Sequence, residues 1–277
     1  KRFEDRYDYL YGVYPVLFAL RAGRRRCVRL WVQGRRGPQT LPQKDAHARQ
    51  EICSLSESLG IATTEASRVK LDRLSDDRPH QGFVLKCRHL LPENLQELPE
   101  PKPGALWVAF EGVTDPMNLG AVLRSAAFFH ASGVVYERGA SRLTAVASKA
   151  SAGAAEMLPL VSTEHLADLL DRARRRGWQV AGTALLEPGD EAFGVQAQSL
   201  NTWLPCCARR GGGVILVLGS EGVGLQPRTR RACETLLKIE GGDGSGGLDS
   251  LNVSVAAGIV IHAVRTALGP APAKVAA

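Results

Sequence analysis

Several features are scarce in this chain of 277 residues, and each scarcity excludes a class of protein. No apolar run reaches the ~18–20 residues that a membrane-crossing helix needs. No signal-peptide pattern opens the chain. It begins at Lys1 rather than Met, which leaves a removed leader, including a targeting peptide, open. The six cysteines (Cys27, Cys53, Cys87, Cys206, Cys207 and Cys233) form no C-x-x-C, and the adjacent pair has no zinc-ligand spacing. At this size a disulfide scaffold is not expected, and mostly buried thiols in a reducing compartment are. The six histidines show no paired ligand spacing, so no metal site is expected. No G-x-S-x-G elbow is present. Aromatic residues make up only 6%, whereas 44% hydrophobic and 23% charged residues exclude a collagen-like or disordered chain.

Positive charge, by contrast, is plentiful and unevenly placed. The formal net charge is +7, and residues 1–40 alone hold 10 basic and 3 acidic side chains. Residues 105–277 are nearly balanced, with 16 basic against 15 acidic. Arg outnumbers Lys 27 to 8. A basic block of this kind suits a polyanion such as nucleic acid, or equally a solvated surface. Within it the aromatic run Phe3, Tyr7, Tyr9, Tyr11 and Tyr14 suits base stacking or hydrophobic packing alike.

The stretch from Leu90 to Gly104 holds four prolines and little apolar pattern, and reads as a linker. It divides the chain into a domain over residues 1–90, a linker over 91–104, a larger domain over 105–268 and a tail over 269–277. In the first part, helices are predicted over 14–22 and 44–59 and strands over 28–33, 61–64 and 82–86. In the second, strands are predicted over 106–110, 133–136, 178–183 and 214–219. Helices are predicted over 119–129, 144–155, 163–176 and 250–268. Strand–helix alternation with wholly apolar strands predicts an α/β fold with a mostly parallel sheet covered on both faces.

Three joints in the second part carry polar residues that packing alone does not explain. The first, Asp115–Arg124 (DPMNLGAVLR), opens a helix after a buried strand. Asp115 suits a cap and Pro116 the first turn, but Asn118 and Arg124 call for partners or water. The second, Leu216–Leu225 (LVLGSEGVGL), is neither a dinucleotide fingerprint nor a P-loop, yet it lies at a strand's carboxyl end, where α/β sheets bind ligands. Glu221 within it is a cap partner or a site residue. The third is Ser250–Gly258 (SLNVSVAAG). There Ser250 is the natural helix cap, and Asn252 and Ser254 fall in the first turn, whose free N–H groups favour electron-rich atoms.

In this order the three joints resemble the motifs of the SpoU (TrmH-like) branch of the SPOUT RNA methyltransferases. The N-terminal GVYPVLFALRAG and His80-Gln81-Gly82 resemble the opening and the end of that family's L30e-like substrate-binding domain. VASKASAGA (Val146–Ala154) and GWQVAGT (Gly177–Thr183) are similar to a mitochondrial group related to bacterial enzymes that methylate one guanosine ribose in large-subunit rRNA.

The resemblance implies a deep trefoil knot in the C-terminal domain, a homodimer, S-adenosylmethionine as methyl donor, and large-subunit rRNA as substrate, with no membrane and no metal. It implies the mitochondrial matrix, or else a bacterial-type cytoplasm, as the location. Carried over by position, Asn118, Arg124, Glu221, Ser250 and Asn252 are catalytic, with Arg124 as base or phosphate clamp. Thr183, Leu218, Gly219, Ile239 and Leu251 bind the donor. Arg21, Arg24, Arg25, Arg26 and His80 are expected to hold RNA. The family continues its third motif as Ile-Pro-Met, whereas here Ile239 is followed by Glu240 and a longer glycine-rich loop, Gly241–Gly247. A tRNA 2′-O-methyltransferase and a non-catalytic RNA-binding assembly factor on the same fold are the alternatives.

Overall fold

The computed structural model describes residues 7–34, 45–137, 143–183, 195–220, 224–241 and 251–272. Its residues cluster into two compact units, Lys1–Leu91 with Leu143–Met157, and Pro92–Arg142 with Leu158–Ala277.

The first unit runs β1 (Tyr7–Tyr11), α1 (Val13–Ala22), β2 (Cys27–Gln33), α2 (Ala46–Ser58), β3 (Ala62–Ala66), α3 (Arg68–Leu74) and β4 (Phe83–Arg88). The sheet order is β1-β4-β2-β3, with β4 antiparallel to both neighbours and β2 parallel to β3. Leu10, Leu85 and Leu30 stand opposite one another across three strands, fully buried beneath α1 and α2. Helix α1 follows β1 after the single residue Gly12, whose φ of +98° a side chain would strain. Its Val13, Val16, Leu17 and Leu20 fall on one stripe and are buried. The predicted strands and helices here are present to within a few residues. Of the aromatic run, Tyr7, Tyr9 and Tyr11 lie in strand β1 and Tyr14 in α1, while Phe3 lies outside the described residues; helix α3 has no counterpart among the predicted elements.

The second unit runs β5 (Glu93–Asn94), β6 (Leu106–Phe110), α4 (Pro116–Phe128) and β7 (Gly133–Glu137). After α5 (Ala145–Ala150), which belongs to the first unit, come β8 (Leu160–Thr163), α6 (Leu166–Arg175), β9 (Gln179–Thr183), β10 (Gln196–Ser199) and α7 (Leu200–Arg210). The chain ends with β11 (Val214–Leu218), α8 (Pro227–Ala232), β12 (Thr235–Lys238) and α9 (Val253–Leu268). The eight strands lie in the order β10-β12-β9-β11-β6-β7-β8-β5, and each neighbouring pair is parallel. Every residue of β6 and β11 is buried, as continuous apolar runs require when helices cover both faces.

The stretch read as a linker is strapped to this unit instead. Glu93 and Asn94 pair with Val161 and Ser162. Leu98 is buried, and Trp178 Nε1 donates to the Pro99 carbonyl at 3.0 Å. Arg176 bonds the Glu97 carboxylate, the Leu98 carbonyl and Glu100.

The expected helix over 144–155 is shorter and lies elsewhere. Thr144 caps α5 by accepting from the Ala147 N–H at 3.3 Å, and a 3₁₀ turn follows at Ala154–Glu156. Both pack on the first unit: Lys149 Nζ donates to Gln81 Oε1 at 2.6 Å, and Arg25 donates to Glu156 Oε1 at 2.8 Å. The six cysteines are free thiols. Cys87, Cys207 and Cys233 are buried, while Cys53 and Cys206 are exposed, so burial is less general than expected. No helix among the described residues is long and apolar enough to cross a membrane.

Candidate active site

The site is assembled at the carboxyl ends of the parallel strands of the second unit. Phe110 of β6 pairs with Leu218 of β11, Leu218 with Thr183 of β9, and Thr183 with Leu237 of β12. Four strand ends therefore lie side by side, bringing together Thr183, Leu218 and Gly219, with Ile239 two residues beyond the last pairing. Thr183 Oγ1 donates to the Val217 carbonyl at 3.4 Å.

After β11 the chain turns back on itself, and Ser220 and Gly224 exchange backbone hydrogen bonds of 3.2 and 3.0 Å. A Cβ on Gly219 would lie 2.7 Å from both the Gly224 carbonyl oxygen and the Leu225 nitrogen, so only glycine permits this return. Glu221 and Ser250 lie outside the described residues.

The first and third joints meet. Asp115 caps α4, accepting from the N–H groups of Met117 and Asn118 at 3.1 and 3.2 Å, and Pro116 occupies the first turn. The cap of α9 is Asn252, not Ser250. Its Oδ1 accepts from Ser254 N–H at 2.9 Å, and the helix begins at Val253, three residues later than predicted. Asparagine caps well, and the Asn252 carboxamide serves two helix ends at once. Its Nδ2 donates to Asn118 Oδ1 at 3.2 Å, joining side chains 134 residues apart in sequence.

Arg124 is exposed on a different stripe of α4 and, among the described residues, makes no hydrogen bond or ion pair. That stripe, continued on α9, is apolar. Met117 and Phe128 are 56% and 75% exposed, and Val255 and Ile259 are 50% and 40% exposed. Phe129 packs edge-on against Phe128 and at a tilt of 53° against His262, bridging the two helices.

One residue went unnoticed in the sequence. Glu111, directly after the apolar β6, is buried and accepts from the Gln226 N–H at 2.6 Å and from the Thr229 hydroxyl, tying β6 to the start of α8. Burial pushes its carboxyl above the usual range, against the pull of these two donors. A carboxylate closing a wholly apolar strand was the available signal.

Two of the residues expected to hold RNA are committed to the fold. Arg25 is buried, donating to Glu156 and to Asp8 Oδ2 at 2.7 Å, so it offers nothing to a ligand. Burial works against its charge, but Glu156 and then Asp8 hold its pKa above the ordinary value. His80 is buried too. Its Nδ1 accepts from Gly82 N–H at 2.9 Å and its Nε2 lies 3.1 Å from Asp72 Oδ1. Arg21 is exposed but forked onto Glu51, with two contacts of 2.6 Å, and Arg24 donates to the Glu156 carbonyl at 3.2 Å. Arg26 is exposed.

This arrangement agrees with the chain's similarity to known proteins. The model of the SpoU rRNA Methylase family matches residues 105–262, and that of the RNA 2′-O ribose methyltransferase substrate binding family matches residues 9–92. The chain belongs to the SpoU rRNA methylase family. Among SpoU relatives, the Homo sapiens protein named mitochondrial rRNA methyltransferase 1 is 37% identical, over 94% of this chain and 73% of its own length. The Coxiella burnetii 23S rRNA (guanosine-2′-O-)-methyltransferase RlmB is 35% identical, over 95% of this chain and 97% of its own. The crystal structure of an AdoMet-bound rRNA methyltransferase from Sinorhizobium meliloti shares the fold, with a TM-score of 0.71 at 21% identity, covering 96% of this chain and 90% of that one.

Proposed function

We propose that this SpoU chain transfers a methyl group from S-adenosylmethionine to the ribose 2′-hydroxyl of a guanosine in large-subunit rRNA. The observation that carries the reading is the Asn118–Asn252 contact, which unites the first and third SpoU motifs at the starts of α4 and α9. The strand ends beside it fit the donor. Half-buried Ile239 and Leu251, which is 49% exposed, offer apolar walls for a flat base, and the Gly219 turn brings backbone amides close. When bound, the donor supplies an electrophilic methyl on sulfur.

The chain's own task is to position the hydroxyl and provide for its proton. Asn118 and Asn252 orient the ribose. The Arg124 guanidinium has no free lone pair at neutral pH, so it clamps a substrate phosphate, and the proton leaves through that phosphate or water. Calorimetry should show S-adenosylmethionine binding to the wild-type chain and to Arg124→Ala alike. Methyl transfer to an rRNA transcript should fall by about 100-fold or more in that variant, and a DNA of the same sequence should not react. Full turnover by Arg124→Ala would remove the role given to Arg124. Absence of donor binding by the wild-type chain would favour a non-catalytic assembly factor.

A homodimer and a trefoil knot belong to the same proposal. The exposed apolar stripe of α4 and α9 supports the first, since a patch of this kind is normally covered. An interface there puts Arg124 at the junction of two copies. The entry of β11 between β6 and β9 supports the second. The mitochondrial matrix is the proposed location, on 37% identity to the human relative, with a bacterial-type cytoplasm as the alternative. Fractionation of the source cells decides between them.

A further inference from the structure

The sheet of the first unit has two faces, and among the described residues only one is fully covered. Leu10, Leu30, Leu85 and Cys87 point to α1 and α2. On the other face α3 and the start of α5 cover one end, where Leu71 and Ala145 pack with Tyr11, Trp31, Val84 and Ala66. Side chains alternate along a strand, so the same face continues through Tyr9 and Tyr7 on β1, Lys86 and Arg88 on β4, and Arg29 on β2. The register confirms the grouping: Tyr7 is opposite Arg88, Tyr9 opposite Lys86, and Lys86 opposite Arg29.

At this open end aromatic rings and cations interleave. Lys86 Nζ sits 4.4 Å from the Tyr7 ring centre and 5.9 Å from that of Tyr9. The Arg88 guanidinium lies 5.1 Å from the Tyr7 ring. Tyr9 stacks on Trp31 with centroids 6.0 Å apart, while Tyr7 is 39% exposed. Every charged strand residue on this face among the described residues is positive, and Arg29 Nη1 donates to Thr64 Oγ1 at 3.5 Å. Lys86 is held by rings and not by a carboxylate, so its N–H donors remain available for a phosphate.

We infer that this face, centred on Tyr7, Tyr9, Arg29 and Lys86, is a platform for unpaired RNA nucleotides. The rings stack on splayed bases, and Arg29 and Lys86 neutralise the backbone between them. Stacking on a flat sheet requires bases out of a duplex, which selects single-stranded over double-stranded RNA. The identity of the polymer as RNA rests on the methyltransferase reading above; the site itself rests on the sheet geometry.

The test uses the full chain and a fluorescent oligouridylate of about 12 nucleotides, with an RNA duplex of equal length beside it. Fluorescence anisotropy should show the single strand bound more tightly than the duplex. Tyr7→Ala should weaken that binding about tenfold, and Tyr7→Phe, which keeps the ring, should restore most of it. Lys86→Ala should lower the slope of log affinity against log salt by about 0.7. Tyr7 and Lys86 are not core residues, and circular dichroism should report folded variants.

Wild-type affinity in both Tyr7→Ala and Lys86→Ala, or equal binding of duplex, would overturn the platform. Calorimetry with S-adenosylmethionine on the same preparations separates the two readings. Normal donor binding with unaltered RNA affinity in the variants removes only this surface. Tyr7-dependent RNA binding without donor binding removes only the methyltransferase assignment.

Discussion

At the residue scale, the side chains that matter most are those whose polar atoms answer to something distant in sequence. His80 illustrates the consequence for pH. Burial lowers its pKa, and Asp72 opposes this without reversing it. Below the ordinary histidine pKa of about 6.5, the unfolded chain therefore binds more protons than the folded one. Stability from this residue is complete above that pH and is lost as pH falls through the depressed value. A melting midpoint that drops on acidification from about pH 6.5, with a shallower drop in His80→Gln, is the expected result by calorimetric scanning. Midpoints equally sensitive in both proteins would contradict it.

The same distance explains what the sequence hid. Arg24, Arg25 and Arg26 look equivalent in a row, and nothing local says that the middle one turns inward. Its partner Glu156 is 131 residues away. Ser250 and Asn252 both read as good caps in sequence, and the bond from Asn252 to Asn118, 134 residues away, is invisible there.

At the element scale, legibility followed burial. Strands β6 and β11 were readable nearly to the residue because both their faces are apolar, which leaves a continuous signature. The polar edge strand β10 (QAQS) carries no such pattern, and α7 is masked by Pro205 in its interior. Strand β1 has a signature, tyrosine at every second position, but as an aromatic run it fits base stacking and hydrophobic packing equally and does not by itself mark a strand.

The segment from α5 to the 3₁₀ turn was legible as helical but not as belonging to the first unit. Its anchor is the Glu156 carboxylate, whose loss leaves the buried Arg25 with Asp8 alone. Glu156→Gln should destabilise the chain by about 3–5 kcal/mol in urea unfolding. Limited proteolysis should cut residues 143–157 sooner in the variant. A change below about 1 kcal/mol would mean that the pair is as weak as an exposed one.

At the scale of the whole molecule, charge and chemistry are divided. The near-neutral second unit carries the strand ends and the Asn118–Asn252 contact, and the basic first unit carries the sheet face. The proposed dimer tests the first of these. Phe128→Asp together with Ile259→Asp puts two carboxylates on the apolar stripe, where a covered interface cannot solvate them. Light scattering after size exclusion should report a single chain for the double variant and two chains for the wild type. A wild-type monomer would leave the stripe to another partner. The motif order was readable at this scale from sequence alone. The passage of β11 between β6 and β9 was not, because strand order is a property of three dimensions that local periodicity does not encode.

The return of residues 143–157 to the first unit also has a consequence in time. A ribosome releases residues 1–91 first, yet the unit they form lacks the carboxylate that Arg25 needs until Glu156 has been made. At about 5–20 residues per second, that leaves a buried guanidinium partly uncompensated for several seconds. The first unit is thus kept immature until residue 156 has been synthesised, and its final packing waits on a segment delivered only after β6, α4 and β7 have been made.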